Sequence, residues 1–127
     1  MKTRLLVTGA GGLIGGILRR TRWRSIYRNN VRGAFNALEA SRRAGVRRVI
    51  VASSNHVTGL YERDEPYTSI VAGRYDGLDP ETIPLLRTDA PVRPDGYYGA
   101  AKVFAEALGR LYAEEHDMSV SACASAP

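Results

Sequence analysis

The chain has 127 residues, of which 44% are hydrophobic and 24% charged, a balance that excludes a disordered polymer and suits one globular domain. No apolar run is long enough to cross a bilayer, so a membrane is not an expected partner. The single cysteine, Cys123, excludes an internal disulfide framework and a multi-cysteine metal site, and it fits a protein of the reducing cytoplasm.

Positive charge is concentrated in the N-terminal part of the chain. Residues 1–48 have a net charge of +11 and residues 49–127 a net charge of −6, which together give +5. A basic half raises the hypothesis of a nucleic-acid-binding module. Only Trp23 and Tyr27 lie as stacking residues among the arginines of residues 19–32. Solvated helix faces and a phosphate-binding end account for the same charge, so nucleic acid is not the expected partner.

The first predicted elements are a strand at residues 1–8 and a helix at residues 13–20. Between them, glycines at positions 9, 12 and 15 stand three apart. Glycine allows a tight turn, and a helix N-terminus offers free N–H groups, so this stretch predicts a phosphate-binding loop. The alternatives are a flexible turn and a secretory signal. The apolar core of such a signal would hold five glycines, and no cleavage site follows it.

A long amphipathic helix is predicted over residues 25–44, with Ser25 as its N-terminal cap and Gly45 as its C-terminal stop. Apolar residues recur at helical spacing along one stripe: Tyr27, Val31, Ala34, Phe35 and Leu38. The β-branched run at residues 49–52 does not alternate with polar residues, which is typical of a strand buried on both faces of a parallel sheet.

Polar residues follow this strand directly, in the order Ser53-Ser54-Asn55-His56. Ligands of open α/β sheets bind at the carboxyl ends of the strands, so this tetrapeptide is well placed for chemistry. A metal site at His56 is not expected, because no second ligand stands at a suitable spacing and His116 is the only other histidine.

The remaining chain is predicted to hold one irregular segment, one helix and one strand. Residues 59–97 contain five prolines and four glycines and are predicted to form a lid or substrate loop. A helix is predicted at residues 98–115 from a second apolar stripe: Ala101, Phe104, Ala105, Leu108, Leu111 and Tyr112. A strand is predicted to begin at residues 118–120, and the tail 121–127 has no core pattern.

Tyr98 and Lys102 stand four residues apart and therefore share one face of this helix. A phenol can act as a general acid or base, and a nearby ammonium favours its phenolate form. The hydroxyl of Ser54, from another element, can hold a substrate oxygen against that phenol. A surface pair is the alternative for Tyr98 and Lys102, but a glycine loop followed by serines and this pair is the order that hydride transfer needs.

These motifs resemble those of the extended short-chain dehydrogenases/reductases of the NAD-dependent epimerase/dehydratase family. Four segments carry the resemblance: Thr8-Gly9-x-x-Gly12-x-x-Gly15 as the nucleotide loop, Asn29-Asn30-Val31-Arg32-Gly33 as the start of the fourth helix, Ser53-Ser54 as the end of the fifth strand, and Tyr98-x-x-x-Lys102 as the catalytic pair. Residues 53–56 and 93–102 look most like the uronate dehydrogenase branch.

The resemblance implies an α/β protein with a partial Rossmann-like fold, in which helices flank a small parallel sheet. It also implies an NAD-dependent oxidoreductase for a sugar or sugar acid, with NAD preferred over NADP and with a homodimer left open. Tyr98 would transfer the proton, Lys102 would stabilise its phenolate and hold the nicotinamide ribose, and Ser54 would bind the substrate oxygen. Asn55 and His56 would contact the sugar acid. The implied cofactor-binding residues are Gly9, Gly12, Leu13, Ile14, Gly15, Asn29, Tyr98 and Lys102.

The chain also departs from the family pattern. An acidic residue normally follows the second strand and binds the adenosine ribose, but here no acid precedes Glu39. Strands two to four have no counterpart, and the chain ends where strand six would begin. We therefore expect residues 1–127 to be a single, incomplete NAD(P)-binding domain with an internal deletion and an early end. The alternative function is a catalytically inactive remnant of such an enzyme.

Overall fold

The computed structural model describes residues 23–124 and, for residues 5–8, the backbone. In this part of the chain, helices flank a three-stranded parallel sheet. The strands are β1 (Leu5–Thr8), β2 (Arg48–Ala52) and β3 (Ser119–Cys123), in the spatial order β1-β2-β3. The predicted α/β class with a small parallel sheet is confirmed.

Strand β2 is central and pairs with both neighbours in parallel register. Leu5 lies opposite Arg48 on one side, and Ser119 lies opposite Arg48 on the other. The Ser53 N–H donates to the Cys123 carbonyl at 2.8 Å, which continues the pairing beyond β2. The strand predicted to begin at residues 118–120 therefore continues to Cys123, and the absence of a core pattern at residues 121–123 agrees with their exposure. Their backbone groups join the sheet while their side chains stay exposed, so no hydrophobic pattern marks them.

The predicted helix at residues 25–44 forms as one helical run. It comprises α1 (Trp23–Ile26), a π-helical turn (Tyr27–Val31) and α2 (Arg32–Arg43). The prediction of Ser25 as its cap is wrong: the helix already includes Trp23, and the Ser25 hydroxyl instead accepts from Asn29 Nδ2 at 3.2 Å.

Gly45 is confirmed as the residue that ends α2. Its φ of 66° is left-handed, and the Val46 N–H donates to the Ser41 carbonyl at 2.9 Å. This is the Schellman arrangement, which satisfies the last helical carbonyls and favours glycine because a side chain is strained at that φ.

The longest helix of the described residues is α4 (Tyr97–His116), which confirms the prediction at residues 98–115 within one residue at each end. Asp117 follows it in the left-handed conformation, with a φ of 50°. Chain reversal at Asp117 returns the backbone to the sheet as β3.

The core lies where α2 and α4 cover the sheet. Its buried members are Leu38, Val49, Val51, Ala105, Tyr112 and Met118. Both predicted apolar stripes are wider than this core: Phe35 is 48% exposed and Leu111 is 51% exposed. In the described residues, a three-stranded sheet offers too narrow a surface to cover the edges of both stripes.

The segment at residues 59–97, which is predicted to be a lid or substrate loop, contains helical structure. A 3₁₀ turn (Gly59–Arg63) and a short helix, α3 (Tyr67–Val71), occupy its first part. Hydrogen bonds of 2.9 Å from Leu60 N–H to the Arg93 carbonyl and from Arg93 N–H to the Val57 carbonyl join its two ends. The segment is thus a closed excursion, and its return leaves residues 94–96 at the start of α4.

Glu39 connects α2 to α4 and collects several donors. Its carboxylate accepts from the guanidinium groups of Arg42 and Arg43 at 2.7–2.8 Å and from the Tyr112 hydroxyl at 3.0 Å. These bonds, with that of Arg42 the largest cause, hold the pKa of Glu39 far below its usual range.

This depressed pKa predicts an acid-sensitive contribution to stability. The contribution is fully present above the usual glutamate pKa of about 4.3 and is lost as the pH falls below it. We expect Glu39→Gln to lower the midpoint of thermal unfolding at neutral pH and to differ progressively less from the wild type in acid. Glu114→Gln, at the exposed Arg110–Glu114 pair, is the matched control and should change less. A Glu39→Gln difference independent of pH would contradict the assignment.

Candidate active site

The residues predicted to be functional meet where β2 ends and α4 begins. Ser53 follows β2, is buried, and its hydroxyl donates to the carboxylate of Glu106 on α4. Lys102, on the same helix, reaches back so that its Nζ donates to the Ala52 carbonyl at 2.7 Å. Two polar contacts therefore fix the position of α4 relative to the carboxyl end of β2.

Ser54 begins a 3₁₀ turn (Asn55–Val57) and holds it in place. Its backbone is extended, and its buried hydroxyl accepts the His56 N–H at 3.3 Å and donates to Asn55 Oδ1 at 3.2 Å. Serine is favoured here because its oxygen satisfies an N–H that the first turn of a helix leaves free. The same contacts place Asn55 and His56 immediately beyond the strand.

The ring of Tyr98 contacts the side chains of two other predicted site residues, His56 and Lys102. The His56 ring meets it edge to face, with 5.6 Å between centroids and an interplanar angle of 82°. Lys102 Nζ lies 5.4 Å from the Tyr98 ring centroid, within the range of cation–π attraction. Tyr98 is half-buried, so its ring is packed while part of its surface faces solvent.

Lys102 is a buried cation, with 8% of its surface exposed. Burial lowers its pKa, because a charged ammonium loses hydration inside the protein. Its described hydrogen bond goes to a neutral carbonyl, and no ion pair to it occurs in residues 23–124. The charge is therefore uncompensated by a carboxylate and available to stabilise a developing anion nearby.

Asn29 shares a cavity with Lys102. The cavity has a volume of about 160 Å³ and is lined by Asn29, Asn30, Gly33, Ala34, Val51, Ala52, Lys102 and Ala105. Asn29 lies in the π-helical turn, a form of helix that often occurs at functional sites. Amide and ammonium groups suit the hydroxyls of a ribose, but the space is below the 300–1,000 Å³ typical of whole-ligand pockets. The described walls thus fit part of a dinucleotide.

A second cavity, of about 360 Å³, adjoins Ser54 and Asn55. Its other lining residues come from the 57–58 turn, the 86–92 loop, α4 and the end of β3: Val57, Thr58, Leu86, Arg87, Thr88, Ala90, Val92, Glu106, Ala122 and Ala124. Hydroxyl, amide and charged groups line it together with apolar side chains. Such a lining suits a small polar molecule such as a sugar.

Glycine at position 99 allows the close approach of α4 to the 3₁₀ turn. A Cβ at this position would lie 2.2 Å from the His56 carbonyl oxygen, far inside van der Waals contact. Gly99 therefore sets the distance between Tyr98 and His56. Gly99 lies within residues 93–102, which resemble the uronate dehydrogenase branch, but this resemblance does not predict its role.

The predicted site residues divide into three groups. Ser54, His56, Tyr98 and Lys102 form one contact network, while Asn29 and Asn55 line cavities beside it. The predicted loop residues Gly9, Gly12, Leu13, Ile14 and Gly15 lie outside the described residues. Sequence reasoning missed Asp95 and Glu106; Glu106 stands four residues after Lys102 on the helix, a spacing that could have indicated it.

The described residues contain neither a metal-binding cluster nor a membrane-spanning helix. No group of three or more His, Cys, Asp or Glu side chains in residues 23–124 is arranged to hold a metal ion. None of the helices in that range is both long enough and apolar enough to cross a membrane.

Comparison with known proteins identifies the family of this chain. The model of the NAD dependent epimerase/dehydratase family matches residues 18–124. L-arabinose 1-dehydrogenase (NAD(P)(+)) of Haloferax volcanii is 38% identical over 102 residues, which cover 77% of this chain and 36% of that protein. Uronate dehydrogenase of Agrobacterium fabrum is 35% identical over 109 residues, which cover 84% of this chain and 34% of that protein. The chain thus spans about a third of the length of these relatives.

A solved structure shares the fold as well as the sequence. A variant of uronate dehydrogenase from Agrobacterium tumefaciens, solved in complex with NAD, superposes with a TM-score of 0.57 at 31% identity. The match covers 79% of this chain and 31% of that one. The predicted Rossmann-like character of the fold is therefore confirmed.

Proposed function

Because this chain belongs to the NAD dependent epimerase/dehydratase family, we propose that it carries the catalytic serine, tyrosine and lysine of an NAD-dependent oxidoreductase for a sugar or sugar acid. The observation that carries the proposal is the pair of contacts at Tyr98: Lys102 Nζ at 5.4 Å and the His56 ring at 5.6 Å from its ring centroid. A uronate is the preferred substrate class, since the relatives include uronate dehydrogenases.

The described side chains have separate roles in the proposed oxidation of a substrate alcohol. Tyr98 takes the proton of the substrate hydroxyl, while Ser54 holds the same oxygen by a hydrogen bond. The Lys102 ammonium, fixed by the Ala52 carbonyl, stabilises the phenolate that Tyr98 needs before the reaction. Bound NAD⁺ supplies the acceptor for the hydride that leaves the substrate carbon.

Support for a cofactor site comes from the cavity beside Lys102. Asn29 and Lys102 would hold the ribose nearest the reacting carbon, since their amide and ammonium groups donate to hydroxyls. The glycines at 9, 12 and 15 would wrap the pyrophosphate. We propose NAD rather than NADP, because the relatives include a structure solved with NAD.

Calorimetric titration of the purified chain with NAD⁺ and with NADP⁺ tests the proposal. We expect NAD⁺ to bind more tightly. We also expect NADH to form on addition of a uronate, L-arabinose or glucose 6-phosphate, the substrates that occur in the names of the relatives. Lys102→Met should abolish binding while Arg110→Met, on an exposed part of α4, should not. Absence of heat at millimolar concentrations of both cofactors would overturn the proposal for this polypeptide.

A catalytically inactive chain is the second candidate. The direct pairing of β1 with β2 favours it, because the described sheet then has three strands with which to support a cofactor. Cofactor binding without NADH formation, for all three substrates, would select this candidate.

Self-association into a homodimer remains a prediction. Phe35 and Leu111 are each about half exposed on the two helices that cover the sheet, and apolar side chains of this kind occur at subunit interfaces. Sedimentation velocity of the purified chain separates a monomer from a dimer.

A further inference from the structure

Asp95 contacts His56 at two points. The ring Nδ1 of His56 lies 2.6 Å from Asp95 Oδ2, and the His56 carbonyl oxygen accepts the Asp95 N–H at 3.3 Å. Asp95 stands 39 residues further along the chain, at the end of the excursion that returns to α4. The contact therefore depends on tertiary structure and is no accident of neighbouring positions.

Two glycines leave the space that the contact between Asp95 and His56 needs. A Cβ at Gly59 would lie 2.5 Å from Asp95 Oδ2 and 2.9 Å from Asp95 Cβ. The side chain of Asp95 can thus reach His56 only because residue 59 has none. Gly99 lies against the His56 carbonyl in the same way. Each member of the Asp95–His56 pair therefore has a glycine beside it.

The pair contributes little to stability by itself. The His56 side chain is 43% exposed and that of Asp95 is 32% exposed, and a contact that water reaches so easily adds little to the stability of the fold. A small effect on stability does not explain why two glycines leave space for this contact. Its more definite effect is on the ring, because the partner of one imidazole nitrogen decides which nitrogen carries the proton.

We propose that Asp95 is a positioning residue that fixes neutral His56 as the Nδ1–H tautomer and leaves Nε2 as a hydrogen-bond acceptor for the substrate. An ionised carboxylate can only accept, so Nδ1 must donate to it. His56 Nε2 has no hydrogen-bond partner in residues 23–124, and 43% of the His56 side chain is exposed.

This assignment deepens the proposed function and rests on it for its consequence. An acceptor nitrogen binds a sugar hydroxyl, and it repels a carboxylate. His56 would therefore select a hydroxyl of the sugar acid, and another group would have to bind the carboxylate. Arg87, which lines the cavity beside Ser54 and lies 3.5 Å from the carboxylate of Asp89, would be a candidate for this group.

The tautomer can be measured without substrate or cofactor. The chain has two histidines, so the ring-nitrogen NMR spectrum of ¹⁵N-histidine-labelled protein contains two ring systems, and His116 serves as an internal reference for folding. At about pH 8.5, well above the ordinary histidine pKa of about 6.5, we expect His56 to show a protonated Nδ1 and an unprotonated Nε2.

Two variants that disturb the pair differently should give the same result. Asp95→Ala removes the acceptor, and Gly59→Ala displaces it while keeping the charge; in both, the protonated signal should move to Nε2. Asp89→Ala removes an aspartate that is 78% exposed on the same excursion and should leave His56 unchanged.

The outcomes separate this inference from the proposed function. A wild-type His56 protonated at Nε2, or an Asp95→Ala spectrum identical to that of the wild type, would overturn the role of Asp95 even if NADH forms. A chain that binds no cofactor but shows the Nδ1–H tautomer would overturn the proposed function and leave the role of Asp95 standing.

Discussion

Tyr98→Phe is expected to lower kcat by about 10²–10⁴-fold, the usual contribution of a positioned acid or base. The substitution removes only the hydroxyl, so the ring contacts with His56 and Lys102 persist. An interaction made in the transition state alone lowers kcat and kcat/KM together, and we therefore expect KM to change little. Initial rates of NADH formation with a uronate measure both constants.

Tyr97→Phe is the matched control for this prediction. Tyr97 precedes Tyr98 on α4 and is 69% exposed, and its ring centroid lies 5.7 Å from that of Trp23, with the two rings tilted by 55°. Its hydroxyl has no part in the proposed chemistry, so kcat should be unchanged. Equal activity of Tyr98→Phe and the wild type would remove Tyr98 from the proton-transfer step.

Gly99→Ala is expected to destabilise the protein by roughly 1–3 kcal/mol, the range for overfilling a packed site. The added Cβ would stand 2.2 Å from the His56 carbonyl oxygen and 2.9 Å from its carbon. These are backbone atoms, which cannot rotate away as a side-chain tip can. Helix α4 must therefore move from the 3₁₀ turn, and the Tyr98–His56 contact must lengthen. Urea unfolding at neutral pH measures the loss.

Gly96→Ala tests whether this effect is local. Gly96 is the cap of the same helix, its backbone is extended, and a Cβ there would meet nothing within 4 Å. A methyl group at this position should change the free energy of unfolding far less. Similar losses for both variants would show that glycine matters for the flexibility of the helix start and not for the clearance at His56.

Local patterns predicted the parts of the site that lie on one element. Tyr98 and Lys102 share a helical face because they are four residues apart, and Ser54 follows a strand whose β-branched run identified it. The helical spacing and the β-branched run are both patterns of residues that lie close together in the sequence. They could therefore place each motif without knowledge of the tertiary structure.

The contacts that join these elements could not be predicted in the same way. The partner of His56 is Asp95, and a 39-residue excursion whose turns had no periodicity brings the two together. Ser25 has the chemistry of a helix cap, but the helix already includes Trp23 and Arg24 before it. Propensity is a weak determinant where neighbouring elements decide the geometry.

The central position of β2 has a consequence for the order in which parts of the molecule open. In residues 5–8 and 23–124, β2 alone is hydrogen-bonded to strands on both sides. Amides of such a strand exchange with solvent only in the rarest openings, whereas outer strands fray with smaller fluctuations. Ser53 and Ser54 are attached directly to this slowest-opening strand, and Lys102 is tied to its last carbonyl. The serines and the lysine of the proposed site are thus attached to the part of the described backbone that is expected to open last.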